Sequence, residues 1–60
     1  MTSDYDVTVT ADTSQDAADI ARRRANEDGF RVRTTKRVVR VGGDPHRSRS
    51  WAVTLAVVPL

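Results

Sequence analysis

Residues 13–29, which read TSQDAADIARRRANEDG, set the fold class because they contain the helical periodicity of the chain. Thr13 is a favourable N-cap residue, and Asp16 three positions later is close to a capping box. Apolar side chains then recur at helical spacing, which predicts an amphipathic helix at about residues 14–28. Gly29 suits the left-handed position at which such a helix ends. The buried stripe of this helix consists of Ala17, Ile20, Ala21 and Ala25.

Three segments outside the helix alternate apolar and polar residues, which is typical of half-buried β-strands. We place these strands at about residues 4–11, 30–41 and 51–58, and a glycine- and proline-containing loop at 42–50. The predicted fold is therefore α+β, with the order β-α-β-β in a single domain over residues 1–60. One amphipathic helix packs on one face of a three-stranded sheet. Whether the last strand lies at the centre or the edge of that sheet stays open.

The second strand contains a change of phase. Phe30 and Val32 have even numbers, whereas Val39 and Val41 have odd numbers. We expect either one β-bulge around residues 35–38, which returns Val39 to the core face, or a bend. The predicted core consists of Val7, Val9, Ala17, Ile20, Ala21, Ala25, Phe30, Val32, Val39, Val53, Leu55 and Val57.

The length and composition of the chain limit the kinds of function it can have. A chain of 60 residues buries only about 60% of its extended surface, so self-association is an effective way to add stability. It has no cysteine, which excludes disulfides and Cys-based zinc sites. No apolar run approaches the roughly 18 residues of a membrane span, so we expect a cytoplasmic protein with no membrane partner. Nine arginines against one lysine are typical of a GC-rich genome, such as that of an actinobacterium or its phage.

The charges are segregated along the chain. Residues 1–21 contain five aspartates and no base, whereas residues 30–50 contain seven bases and only Asp44 as an acid. One interpretation is that these bases bind nucleic acid or an acidic protein. The alternative is a solvated face, neutralised by Asp4 and Asp6 if the first two strands are neighbours. The candidate binding residues are Arg31, Arg33, Lys36, Arg37, Arg40, Arg47 and Arg49.

The sheet face that the helix leaves uncovered is a second candidate surface. Its central side chains are small and mildly polar, so the face is flat enough to accept another copy of the chain. An unpaired sheet edge offers a second route to self-association, and the alternative is a monomer with a hydrated face. The candidate self-association residues are Thr8, Thr10, Ala52, Thr54, Ala56 and Val58.

The sequence offers little for catalysis. His46 is the only histidine and lies beside Asp44 and Pro45 in the loop, whereas a metal site needs three or four convergent ligands. Gly42 and the glycine after it lack the phosphate-loop pattern. We therefore predict that the protein is not an enzyme and has no cofactor and no metal site. Trp51 is interpreted as a core-edge residue, with an interface or ligand-stacking role as the alternative.

Three short segments have local patterns of a known family, namely Thr13-Ser14-Gln15-Asp16, Phe30-Arg31-Val32 and Trp51-Ala52-Val53-Thr54-Leu55. Together with the order β-α-β-β, they resemble the dodecins, small flavin-binding proteins that assemble into hollow dodecamers. Dodecins place a flavin-stacking tryptophan at the start of the second strand, where this chain has Gly29-Phe30. The resemblance therefore implies the topology and oligomerisation more than flavin binding. The chain is also similar in style to small actinobacteriophage proteins.

These observations lead to one preferred function and two others. We predict a non-catalytic, self-associating interaction module of the kind found among phage accessory proteins. The alternative is a nucleic-acid-binding protein that uses its arginine-rich hairpin. A dodecin-like flavin-binding oligomer is the lesser alternative.

Overall fold

The computed structural model describes residues 1–42 and 47–60, and it confirms the α+β order of one helix and three strands. The predicted loop residues Asp44, Pro45 and His46 lie outside the described residues. The observed elements are β1 (Ser3–Thr10), α1 (Ser14–Glu27), β2 (Phe30–Val41) and β3 (Ser50–Pro59).

The strand left unplaced by the sequence, β3, lies at the centre of the sheet. The spatial order is β1-β3-β2, and β3 pairs antiparallel with both neighbours. Val53 shows the arrangement, because it lies between Val7 of β1 and Val38 of β2. This strand contains no charged residue, which suits a position where both edges are covered. β3 separates β1 from β2. The first two strands are therefore not neighbours, which was the condition under which Asp4 and Asp6 were expected to neutralise the bases.

Both ends of α1 are capped by local sequence, as predicted. The Thr13 hydroxyl accepts a hydrogen bond from the Asp16 backbone N–H at 3.1 Å, which satisfies one of the free amides of the first turn. At the other end Asp28 is the C-cap residue, and Gly29 has a φ of 92°. Glycine adopts this left-handed conformation without a steric penalty. The chain therefore turns directly from α1 into β2.

The core lies between α1 and one face of the sheet. Ala17, Ala21 and Ala25 are completely buried, and their small side chains allow the helix backbone to approach the strands closely. Leu55 of β3 is also completely buried. Trp51 is 7% exposed, and its indole Nε1–H donates to the Ala11 carbonyl at 2.8 Å. Trp51 thus closes one end of the core, in agreement with its interpretation as a core-edge residue.

The prediction that Val39 belongs to the core is wrong. β2 contains two irregularities in register, between Val32 and Thr34 and between Thr35 and Arg37, whereas the phase change suggested one. Two bulges reverse the facing residues twice. As a result Val38 pairs with Val53 and packs against the core, while Val39 pairs with Ala52 on the opposite face.

Candidate functional site

The sheet surface opposite α1, which we call the open face, contains all six residues predicted for self-association. Alternate residues of a strand point to opposite faces, and directly paired residues share a face. Thr8 pairs with Ala52, so both lie on the face that the buried residues of β3 leave free. The same argument places the rest of the set on this face. Its remaining members are Thr10, Thr54, Ala56 and Val58.

Two valines extend the open face beyond the predicted set. Val39 pairs with Ala52, and Val41 pairs with Ser50. Both are half-buried, so each adds apolar surface beside the small residues of β3. Sequence reasoning missed them because it allowed for one bulge in β2.

Polar side chains bridge the open face near the other end of the sheet. Lys36 Nζ lies 3.0 Å from Asp4 Oδ1, although these residues belong to the two outer strands. The contact passes over Ala56, which is only 9% exposed. Beside it, the Thr54 hydroxyl donates to Asp6 Oδ1 at 2.6 Å. The small residues of β3 therefore let the acidic side of the face meet its basic side.

The seven predicted basic residues do not form one surface. Arg31 and Arg37 pair with Val58 and Thr54 and so belong to the open face with Lys36, but the guanidinium of Arg40 stacks over the Trp51 ring at 4.7 Å on the core side. Arg49 lies elsewhere, with its Nε 2.8 Å from Asp12 Oδ1. Arg33 has no register partner in β3 and Arg47 is exposed outside any strand.

A cleft of about 420 Å³ opens between the last half of α1 and the start of β2. We call it the arginine cleft because three arginines line it. Arg22 of the helix is held toward β2, since its Nε and Nη2 donate to Thr35 Oγ1 at 3.3 and 3.0 Å. Arg22 was not among the predicted binding residues. Its contact with β2 depends on how α1 packs against the sheet, which the sequence does not show. The lining residues are Arg22, Asn26, Arg31, Val32, Arg33 and Thr34.

A second cleft, of about 430 Å³, lies at the start of α1 beside the end of β1. Three aspartates line it together with two arginines, one of which is Arg49, so its charges largely compensate each other. Within residues 1–42 and 47–60, no group of three or more potential ligands is placed to hold a metal ion. The charged residues of this cleft are Asp12, Asp16, Asp19, Arg23 and Arg49.

Tyr5 connects the start of β1 to the end of α1. Its hydroxyl donates to Asp28 Oδ2, and its ring lies 5.8 Å from that of Phe30 at a tilt of 55°. The hydrogen bond to the Asp28 carboxylate, followed by burial and the negative charge of Asp28, raises the pKa of Tyr5 above its ordinary value. Ionisation of Tyr5 would remove the donor proton.

The comparisons with known proteins leave the geometry as the basis for function. No protein-family model matches the chain, and no curated protein or solved structure is significantly similar to it. The resemblance to dodecins therefore stays a prediction. In the described part of the chain, no helix has the length and apolar character needed to cross a membrane.

Proposed function

We propose that the protein is a non-catalytic interaction module whose open face binds a second copy of the same chain. The observation that supports this proposal most strongly is the division of that face into an acidic side on β1 and a basic side on β2. The small residues of β3 lie between the two sides. The proposal retains the predicted cytoplasmic location.

The shape of the open face suits contact with another sheet. Side chains from two stacked sheets interdigitate across a spacing of about 10 Å. Ala52 and Ala56 are small, and Val39 and Val41 add apolar area on one flank. Neighbouring strands lie about 4.8 Å apart, and a strand rises about 3.4 Å per residue. A face of only three strands is therefore small for a specific protein–protein interface. We therefore expect a weak dimer that depends on concentration.

The charges of the open face indicate how the two copies are arranged. A two-fold axis parallel to β3 turns β1 of one copy over β2 of its partner. Asp6, Thr54 and Arg37 lie in one row across the sheet. That axis therefore brings Asp6 of each copy opposite Arg37 of the other copy. No ion pair joins Arg37 to another residue within ranges 1–42 and 47–60, so the guanidinium is available to a partner.

Sedimentation velocity over a range of protein concentrations tests this proposal. Ala52→Arg places a charged side chain at the centre of the open face and is expected to abolish the dimer. Gln15→Arg adds the same charge on the exposed surface of α1 and is expected to leave the dimer unchanged. Far-ultraviolet circular dichroism and urea unfolding verify that both variants fold. Equal association of the two variants would exclude the open face as the interface.

Nucleic-acid binding is the second candidate, and it is favoured by one observation. Arg31, Arg33, Lys36 and Arg37 all belong to β2, which is an edge strand of the sheet. Binding to a phosphate backbone weakens steeply as salt increases because counterions are released. Association through the open face is expected to depend much less on salt. Fluorescence anisotropy of a labelled oligonucleotide at several salt concentrations separates the two functions. Arg33→Ala alters β2 at a residue with no register partner in β3 and is expected to weaken only nucleic-acid binding.

A further inference from the structure

We propose that the arginine cleft is a binding site for a phosphate group. This site is formed by both α1 and β2 at the edge of the sheet, where it shares Arg31 and Thr34 with the open face. The cleft volume of about 420 Å³ lies within the range of small-molecule sites, about 300–1,000 Å³.

The helix side of the cleft is preorganised. Arg22 and Asn26 are four residues apart in α1, so they lie on the same side of the helix. Thr35 Oγ1 accepts from two nitrogens of Arg22, and this contact fixes the orientation of the guanidinium. A guanidinium has five N–H donors, so donors remain for an anion after both bonds to Thr35.

The strand side of the cleft depends on the first irregularity of β2. Arg33 is the extra residue between the register partners Val32 and Thr34, and a bulge redirects the side chain of the residue it contains. Arg33 lines the cleft together with Arg22 of the helix and with Arg31, which precedes the bulge. A regularly alternating strand would contain no extra residue at this point, so it would not add Arg33 to the strand beside the helix.

The charge of the arginine cleft distinguishes it from the cleft at the start of α1. None of the described residues that line the arginine cleft is acidic, whereas three aspartates balance Arg23 and Arg49 in the other. The lining of the arginine cleft therefore has three positive charges and no negative one, and a bound anion would reduce the repulsion between like charges.

A phosphate group matches the donors of this site. Its oxygens accept paired hydrogen bonds from guanidinium groups, which bind phosphate in a planar, bidentate geometry. The Asn26 amide and the Thr34 hydroxyl supply further neutral donors. The phosphate belongs either to a small phosphate ester or to a nucleic-acid backbone, since both present the same oxygens.

Titration of the ¹⁵N-labelled protein with inorganic phosphate, followed by NMR, tests the site. We expect saturable shifts in the Nε–Hε signals of Arg22 and Arg33 and in the Asn26 side-chain amide. Arg22→Gln is expected to raise the dissociation constant roughly tenfold, equivalent to about 1.4 kcal/mol. Arg23→Gln, the neighbouring residue on the other cleft, is the matched control and is expected to leave the constant unchanged.

A second variant and two competing ligands complete the test. Arg33→Gln alters an exposed bulge residue and repeats the test if Arg22→Gln fails to fold. Displacement of phosphate by a mononucleotide identifies a small ester as the source, and displacement by a short oligothymidylate with steep salt dependence identifies a nucleic-acid backbone. Shifts that do not saturate, or equal weakening by Arg22→Gln and Arg23→Gln, would overturn the proposal.

Discussion

The two faces of the sheet are made from the same strands but have different compositions. On β3, the odd-numbered residues Trp51, Val53, Leu55 and Val57 face α1 and are buried, whereas the even-numbered residues between them are small or polar. The covered face therefore has large side chains opposite a helix of alanines. The open face has small side chains with charges on both flanks.

This difference shows that one strand serves two surfaces. A central strand in a sheet with one helix needs bulky residues only on the helix side, since burial of apolar area there stabilises the fold. The other side is under no such requirement, yet small apolar residues, Ala52 and Ala56, occupy its central strand. We interpret their small size as a requirement of contact with another copy.

The two faces should differ most in what their residues contribute to the free energy of unfolding. Leu55→Ala removes a completely buried side chain and leaves a cavity beneath α1, which typically costs about 2–5 kcal/mol. Thr54→Ala alters the next residue on the open face and is expected to cost less than about 1 kcal/mol, the net value of its hydrogen bond. Urea unfolding measures both. Similar losses would mean that the faces do not differ in their contribution to the core.

A second substitution enlarges a residue on the helix side of the core. Ala21→Leu inserts a bulky side chain at a completely buried position of α1, and overpacking of this kind costs about 1–3 kcal/mol. Ala18→Leu places the same side chain on a partly exposed position of α1 and is the matched control. Thermal unfolding should show a lower midpoint for Ala21→Leu only. An unchanged midpoint would contradict close packing of the helix.

A charge exchange tests the arrangement proposed for the open face. Asp6→Arg places like charges opposite each other across the two-fold axis and is expected to weaken the dimer several-fold. Addition of Arg37→Asp restores opposite charges and should recover most of the affinity. Sedimentation equilibrium measures the dissociation constants. Dimerisation that is unaffected by Asp6→Arg would retain the open face but exclude this axis.

The smallest effect concerns a contact at the edge of the covered face, where Tyr5 pairs with Leu55 and packs against the core. Tyr5 is the only tyrosine, so its ionisation can be followed by absorbance. Its raised pKa means that the neutral hydroxyl is stabilised by folding: this contribution is present below pH 10 and is lost as pH rises through the raised value. Asp28→Asn should return the pKa of Tyr5 toward its ordinary value, whereas Glu27→Gln removes the weakest of the contributions that affect it and should lower the pKa less. Equal titration curves for Asp28→Asn and the native chain would contradict the hydrogen bond.

The helix was predictable because its signals are local. Thr13 as N-cap, the spacing of the alanines and Gly29 as terminator act within a few residues of one another. The position of Val39 was not predictable in the same way, because each bulge reverses the facing residues and the sequence does not show their number. The central place of β3 depends on pairing between distant segments, which no local pattern encodes.

The candidate surfaces show the same division between local and distant information. The alternation of β3 was sufficient to place Ala52 and Val58 on the open face. The seven predicted bases do not form one surface, because Arg40 stacks over Trp51 and Arg49 pairs with Asp12. The arginine cleft escaped prediction because Arg22 reaches Thr35 across 13 positions of sequence, a contact that depends on helix orientation.

Binding of a second copy of the chain by the open face can be tested through the native mass. Light scattering during gel filtration, over a series of protein concentrations, measures the native mass directly. We expect the mass to rise with concentration toward twice the 6.6 kDa of one chain, and the Ala52→Arg variant to remain at 6.6 kDa throughout. A native mass of one chain at every concentration would contradict the claim.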